Sequence, residues 1–206
     1  RQMCIRDSLI VVQPGVVLDV IKKAALSPGL YYPPDPASSD WCTIGGCVAE
    51  NAGGPCSLKY GVTSDYVLGL EGFFGNGDFF SLGGKCHKNV AGYDLLSLLK
   101  GQEGTLALLT KIALKLIPKP LHEDSFWCSF PSIYDATHFL SEMCQSSCHF
   151  SAVEFLDSTC LKAVSSNYIH NKSWLNHTGV LLKYDSDTKE GVIRALKLAQ
   201  QYCHQY

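Results

Sequence analysis

The fold of this chain is decided by a glycine-rich stretch, Thr43-Ile44-Gly45-Gly46-Cys47-Val48-Ala49-Glu50-Asn51-Ala52-Gly53-Gly54-Pro55. Paired glycines let a main chain approach a bound group closely, because no Cβ atom stands in the way. Backbone N–H groups that point out of such a loop, or out of the start of a short helix, bind phosphate oxygens. The same composition is also typical of a tight packing corner, so phosphate binding and packing both stay open at this point.

Two common nucleotide-binding loops are excluded by the spacing of these glycines. No G-x-G-x-x-G sequence follows a strand and opens a helix, as a Rossmann fingerprint requires. No Gly-Lys-Ser or Gly-Lys-Thr sequence follows Gly54, so the stretch is not a Walker loop. If the stretch binds a nucleotide, it does so within a different fold.

The composition is that of a globular protein with few broad electrostatic partners. Hydrophobic residues make up 46% of the 206 residues, charged residues 17%, and the formal net charge is −2. Near-neutrality argues against nucleic acid or anionic lipid as a partner, and no apolar run approaches the roughly 18 residues of a membrane span. Ten cysteines are scattered along the chain without a dense framework. With no signal peptide at the start, they predict a reduced, cytoplasmic protein.

Periodicity and breaker residues predict alternating elements in the first 120 residues. Residues 16–26 have apolar side chains at the spacing of one helical face, and Ser27-Pro28-Gly29 ends that helix. The prolines of residues 31–36 require an extended chain. Strands are predicted at residues 9–13, 66–74, 79–82 and, as one or two strands, 105–117, with a short helix at 93–99.

The step Pro118-Lys119-Pro120 is the predicted domain boundary. Beyond it, the pattern predicts a strand–helix order that repeats three times and forms a small α+β layer with helices over one sheet. The strand that would complete this sheet is expected beyond Tyr206. The predicted strands are residues 126–130, 151–156 and 179–184, and the predicted helices begin near Ser132, at Ser158 and at Lys189.

Several further motifs occur in one order with the glycine-rich stretch. They resemble the FAD-linked oxidases related to vanillyl-alcohol oxidase, and within these the group formed by bacterial glycolate oxidase and D-lactate dehydrogenase. The resemblance covers residues 12–120 closely and residues 152–157 loosely. The motifs are Pro33-Pro34-Asp35-Pro36-Ala37-Ser38-Ser39, Lys59-Tyr60-Gly61-Val62, Gly84-Lys85, Lys88-Asn89-Val90-Ala91-Gly92-Tyr93-Asp94-Leu95, Gly101-Gln102-Glu103-Gly104-Thr105-Leu106 and Leu116-Ile117-Pro118-Lys119-Pro120.

The resemblance implies an α+β fold in which FAD lies extended between two subdomains and is held mainly by backbone amides. Residues 9–120 would be the C-terminal part of a PCMH-type FAD-binding domain, and residues 121–206 the N-terminal part of a truncated, ferredoxin-like substrate or cap domain. Residues 1–8 match no part of the family pattern and resemble a translated adapter, so they are predicted to be a non-native leader. The implied cofactor-binding residues are Pro34, Pro36, Thr43, Gly45, Gly46, Cys47, Val48, Asn51, Ala52, Gly53, Gly54, Gly61, Glu103, Gly104, Ala107 and Leu108.

This chain departs from the family pattern at several of these positions. The family usually has Asn at the position of Cys47, Ser at that of Gln102, and Gly-Ile at that of Ala107-Leu108. Backbone contacts survive such changes, whereas the change at Cys47 removes an amide near the flavin.

The implied activity is oxidation of a small D-2-hydroxyacid, glycolate or D-lactate, to the 2-oxoacid by hydride transfer to flavin N5. The implied partner is an iron–sulfur subunit that accepts the electrons, which leaves attachment to the inner membrane through that partner open. A second glycine-rich loop upstream and a histidine-bearing Gly-Asp-Gly-Asn segment downstream belong to the family pattern and lie outside this chain. We therefore predict a fragment that contains no catalytic residue and is inactive alone. A non-catalytic FAD-binding subunit is the alternative, and a flavin reductase on the same scaffold is a weaker one.

Other candidate residues have a plainer structural interpretation. Cys144, Cys148 and His149 lack a second ligand pair at a zinc spacing, so core packing is favoured and no metal is predicted. Cys42, Cys47 and Cys56 bracket the glycine-rich stretch, where a passive role is favoured over a redox role. His87 and Lys88 are interpreted as solvated side chains or as a pair that orients a substrate carboxylate, and Glu154 as a structural anchor.

Overall fold

The computed structural model describes residues 3–6, 8–84, 86, 90, 92–168 and 175–205. The chain divides into two compact units, Arg1–Lys119 and Pro120–Tyr206. The division falls inside the Pro118-Lys119-Pro120 step, where proline restricts both its own backbone and that of its predecessor.

An antiparallel five-stranded sheet organises the first unit. Its strands in the described residues are β1 (Met3–Arg6), β2 (Leu9–Val12), β4 (Val67–Phe74), β5 (Phe79–Gly83) and β6 (Ala107–Lys115), and a separate pair consists of β3 (Leu30–Tyr31) and β7 (Ile117–Pro118). The strand order is β1-β2-β6-β4-β5. Apolar side chains of β2, β4, β5 and β6 build the core of this unit. The core residues from these strands include Ile10, Val12, Leu70, Ile112 and Leu114.

Short helices cover this core. The described helices are α1 (Leu18–Leu26), α2 (Ile44–Glu50), α3 (Ser57–Tyr60) and α4 (Leu95–Leu98), with a 3₁₀ turn at Thr63–Tyr66. Helix α1 buries Leu18, Ile21 and Ala25, which recur at the spacing of one helical face. The predicted helix over residues 16–26 therefore exists, but it starts two residues later. Val17 has an extended backbone and bridges to Thr43.

The predicted strands of the first unit are confirmed, with shifts of one or two residues at their ends. The apolar run of residues 105–117 forms two strands, β6 and β7. The helix predicted over residues 93–99 is the single turn α4, which begins after Asp94. The Asp94 side chain accepts a hydrogen bond from the Ser97 N–H at 3.0 Å.

The second unit is a three-stranded antiparallel sheet with helices, in the predicted order of elements. The elements are β8 (His122–Phe130), α5 (Ile133–Gln145), β9 (Ala152–Leu156), α6 (Ser158–Tyr168), β10 (Thr178–Ser186) and α7 (Lys189–Cys203). The strand order is β8-β10-β9. Ser132 caps α5 by accepting a hydrogen bond from the Asp135 N–H, as the sequence predicts, and Thr188 caps α7 in the same way. The core of this unit includes Phe130, Phe139, Val180, Leu182 and Ala195.

Candidate cofactor site

The glycine-rich stretch folds into helix α2, and the start of this helix is tied to the segment before α1. The Ile44 N–H donates to the Val16 carbonyl at 2.9 Å, and the Gly45 N–H donates to the Pro14 carbonyl at 2.8 Å. The Gly46 N–H lies 3.4 Å from Thr43 Oγ1, the N-cap hydroxyl. A helix start binds anions through N–H groups that lack protein acceptors. Because the acceptors here are protein atoms, the start of α2 does not present an open phosphate site.

The end of α2 is hydrogen-bonded to residues 101–106, the second segment that the sequence implies for the cofactor site. Asn51 ends the helix in the left-handed conformation, with a φ of 51°. The Gly101 N–H donates to the Val48 carbonyl, and the Glu103 N–H donates to the Ala49 carbonyl, both at 2.9 Å. Helices leave their last carbonyls unpaired, and these two bonds satisfy two of them. Residues 101–106 are therefore docked on α2, although some fifty residues separate the two segments in sequence.

A buried glutamine shapes the docked loop. The Gln102 side chain is 6% exposed, and its Nε2 donates to the Ala107 carbonyl at 3.0 Å. Its Oε1 accepts from the Leu106 and Ala107 N–H groups at 2.9 and 2.6 Å. Glu103 and Gly104, with φ angles of 52° and 74°, stay exposed on the loop. Gln102, noted in the sequence only as a departure from the family pattern, is the residue that fixes the loop's conformation.

Two of the four paired glycines, Gly45 and Gly54, are required for packing. A Cβ atom on Gly45 would lie 2.6 Å from Pro14 Cβ, and one on Gly54 would lie 2.2 Å from the Asp35 carbonyl oxygen. Real Cβ atoms do not approach other atoms so closely, so both positions need glycine for the fold itself. Gly46 differs, because its nearest neighbour would be Thr43 Oγ1 at 3.6 Å and the residue is exposed. Packing therefore accounts for the glycines at positions 45 and 54, whether or not a ligand also approaches them.

The Pro-Pro-Asp-Pro motif lies against the second glycine pair. Pro34 is buried, and the carbonyl of Asp35 packs on Gly54. The Asp35 carboxylate pairs with the ammonium group of Lys22 on α1. The fold thereby places the backbone of Asp35 and Pro36 against Gly54.

The side chains of Cys47 and Val48 point into the core. They are 3% and 1% exposed, so these two residues can meet a cofactor only through their backbone. Burial raises the pKa of the Cys47 thiol to about 12, and the neighbouring Cys42 adds to the shift. Leu108, by contrast, is 69% exposed on β6.

One sequence-based interpretation concerns residues that the structure does not describe. His87 and Lys88, the pair considered for a substrate carboxylate, lie outside the described residues, as do Lys85, Asn89 and Ala91 of the neighbouring motifs. Within the described ranges, no group of three or more His, Cys, Asp or Glu side chains is placed to hold a metal ion. No described helix is long and apolar enough to cross a membrane.

Comparison with known proteins identifies the class. The sequence pattern of the FAD binding domain family matches residues 1–83. Among solved structures, a crystal form of alkyldihydroxyacetonephosphate synthase superposes with a TM-score of 0.80 at 18% identity, covering 96% of this chain and 39% of that one. The predicted α+β fold, part of a PCMH-type FAD-binding domain with a following unit, is confirmed, and the cofactor of this class of domain is FAD.

Two relatives of this chain are named for a specific activity. Glycolate oxidase subunit GlcD of Bacillus subtilis is 46% identical over 154 residues, which cover 74% of this chain and 33% of that protein. D-lactate dehydrogenase of Archaeoglobus fulgidus is 35% identical over 190 residues, covering 90% of this chain and 41% of that protein. Residues 1–83 belong to the FAD binding domain family, and the chain is similar to these two proteins. It spans about a third to two fifths of their length.

Replacing Gly54 by Ala is expected to destabilise the first unit. The new Cβ atom would overlap the Asp35 carbonyl, and overpacking of this kind costs about 1–3 kcal/mol. Urea-dependent hydrogen–deuterium exchange of α2 and β6 peptides measures the change. Gly15→Ala is the matched control, because no atom lies within 4 Å of its added Cβ. Equal stability of the two variants would contradict the packing role of Gly54.

Replacing Gln102 by Ala is expected to loosen the loop at residues 101–107. Three hydrogen bonds disappear and leave N–H and carbonyl groups unpaired, at a cost of about 1–3 kcal/mol. Faster exchange of the Leu106 and Ala107 amides should show it, while Gln13→Ala, at an exposed position, leaves them unchanged. Unchanged protection in Gln102→Ala would show that the loop is held by its docking on α2 alone.

Proposed function

We propose that the protein to which this chain belongs oxidises a small D-2-hydroxyacid, glycolate or D-lactate, to the 2-oxoacid. The observation that carries the proposal is the similarity to two named proteins. GlcD is 46% identical over 74% of this chain, and D-lactate dehydrogenase is 35% identical over 90% of it. The docking of residues 101–106 on α2 supports it, because the two segments expected to hold the flavin form one surface.

The described residues fit FAD through exposed backbone rather than through charged side chains. Gly46 is exposed and carries no side chain, and Glu103 and Gly104 are exposed on a loop that Gln102 holds in place. FAD, when bound, supplies the acceptor for the substrate's hydride. The residues proposed to hold it are Pro34, Pro36, Thr43, Gly45, Gly46, Cys47, Val48, Asn51, Ala52, Gly53, Gly54, Gly61, Glu103, Gly104, Ala107 and Leu108.

The roles proposed for the two parts of the chain differ. Residues 9–120 contribute to the FAD-binding domain, and residues 121–206 to a substrate or cap domain. We assign no catalytic side chain within the chain. The relatives named GlcD are described as subunits of glycolate oxidase, which supports assembly with further chains. An iron–sulfur subunit that accepts the electrons, and a cytoplasmic location, are part of the proposal.

The flavin contact is tested with a substitution that the fold tolerates. Gly46→Leu adds a side chain at an exposed helical position where an added Cβ meets only Thr43 Oγ1, at 3.6 Å, so stability should change by less than about 0.5 kcal/mol. If Gly46 faces the flavin, the Kd of the chain for FAD should rise by about tenfold or more, equivalent to about 1.4 kcal/mol. Quenching of flavin fluorescence on titration measures the Kd.

Gly15→Leu is the matched control for Gly46→Leu, because no atom lies within 4 Å of its added Cβ. It should bind FAD as the unchanged chain does. The chain itself is expected to bind FAD weakly, since an incomplete clamp is poorly preorganised. Equal FAD affinity of both variants would place the flavin away from Gly46.

The activity is tested on the full reading frame from the source DNA, with D-lactate, L-lactate and glycolate and a dye as electron acceptor. Bleaching of bound flavin by D-lactate or glycolate, and not by L-lactate, is the expected result. A protein that binds FAD but is reduced by none of these acids would be the non-catalytic flavin-binding subunit instead. Turnover by the 206-residue chain alone would contradict the expectation that further segments are needed.

A further inference from the structure

Two thiols lie side by side at the start of α2. The Sγ atoms of Cys42 and Cys47 are 3.5 Å apart, and both cysteines are free. Cys42 directly precedes the N-cap Thr43, and Cys47 lies one turn into the helix. A disulfide has an S–S length of about 2.05 Å, so closing the bond requires the sulfurs to approach by about 1.5 Å. Rotation of the two side chains supplies a movement of this size.

The backbones on both sides of this pair are held in place. The Cys42 N–H donates to the Ser38 carbonyl at 2.7 Å, and the Cys42 carbonyl accepts from the Leu18 N–H at 3.0 Å. The Cys47 N–H donates to the Thr43 carbonyl at 2.9 Å, and its carbonyl accepts from the Ala52 N–H at 2.8 Å. Because the fold already holds the two residues together, little further chain entropy is lost on forming the bond.

The two thiols differ in their access to solvent. Cys42 is half-buried and therefore reachable by a small molecule, whereas Cys47 is buried at 3% exposure. Burial raises the pKa of the Cys47 thiol to about 12, and the neighbouring Cys42 adds to the shift, so Cys42 and not Cys47 is the thiol that meets an oxidant from solvent first. An accessible thiol beside a buried one is the arrangement of an attacking and a resolving cysteine.

We propose that Cys42 and Cys47 form a reversible intramolecular disulfide when the chain meets a small-molecule disulfide such as oxidised glutathione. The Cys42 thiolate attacks one sulfur of glutathione disulfide, forming a mixed disulfide and releasing one glutathione thiolate. Cys47 gives its proton to the released glutathione thiolate and attacks the Cys42 sulfur, which breaks the mixed disulfide. The second glutathione thiolate leaves and takes up the proton that Cys42 had lost. The protein dithiol loses two electrons and two protons, and glutathione disulfide becomes two molecules of glutathione.

The bond would tie the first turn of α2 covalently to the segment that precedes it. That turn carries Thr43, Gly45 and Gly46, which are among the residues proposed for the cofactor site. Oxidation should therefore slow hydrogen–deuterium exchange over residues 43–48 relative to the reduced chain. The disulfide itself does not depend on the proposed activity, since it follows from the sulfur geometry alone.

The test is incubation of the folded chain with glutathione disulfide, alkylation of the remaining thiols, and peptide mapping by mass spectrometry. The expected product has a Cys42–Cys47 cross-link that dithiothreitol reverses. Exposed cysteines such as Cys86, Cys144 and Cys160 should carry at most glutathione adducts. A persistent adduct on Cys42 without the cross-link, or a cross-link that forms only in denaturant, would overturn the proposal.

Single substitutions assign the order of the two steps. Cys47→Ser should stop at a stable glutathione adduct on Cys42, and Cys42→Ser should leave Cys47 unmodified in the folded chain. Cys86→Ser, which removes an exposed thiol of the same unit, should form the Cys42–Cys47 cross-link as the unchanged chain does. If the substitution of the buried Cys47 by Ser unfolds the unit, the Cys42→Ser variant alone tests the order of the two steps. Modification of Cys47 in that variant would contradict the assigned order.

Discussion

The unpaired carbonyls at the end of a short helix are the constraint on which the candidate site depends. Helix α2 has only seven residues, so its last carbonyls are a large share of its backbone acceptors. The N–H groups of Gly101 and Glu103 satisfy two of them. This pairing joins two segments far apart in sequence into one surface. Gln102, between these two donors, can then turn inward and order the rest of the loop through Ala107.

The glycine-rich composition has two physical causes that a sequence does not separate. Gly45 and Gly54 are required because Pro14 and the Asp35 carbonyl leave no room for a Cβ atom. Gly46 meets no such neighbour. Composition alone therefore does not separate the glycines that packing requires from a glycine that packing leaves free. The start of α2 is a second case in which composition does not reveal the role of the backbone. Its N–H groups donate to the Pro14 and Val16 carbonyls and are therefore not available to bind phosphate.

Sequence patterns predict most of the fold because they depend on local periodicity and on capping residues. Every element of the second unit follows in order from such signals, including the helix start at Ser132. The roles of Gln102 and Gly54 were not predictable, since they depend on atoms at Ala107 and Asp35 that only the tertiary structure brings near. The helical state of the glycine-rich stretch was also hard to predict, because glycine lowers helix propensity by about 1 kcal/mol relative to alanine.

Cys47 shows how one departure from a family pattern changes local chemistry without disturbing the fold. The family resemblance implies Asn at this position, and a buried amide needs hydrogen-bond partners for both its oxygen and its nitrogen. A thiol is small and only weakly polar, so it packs at 3% exposure without that requirement. Its sulfur instead meets that of Cys42 at 3.5 Å. Relative to the implied Asn, Cys47 lacks an amide that needs hydrogen-bond partners, and its thiol lies beside a second thiol in the helix that carries part of the proposed cofactor site.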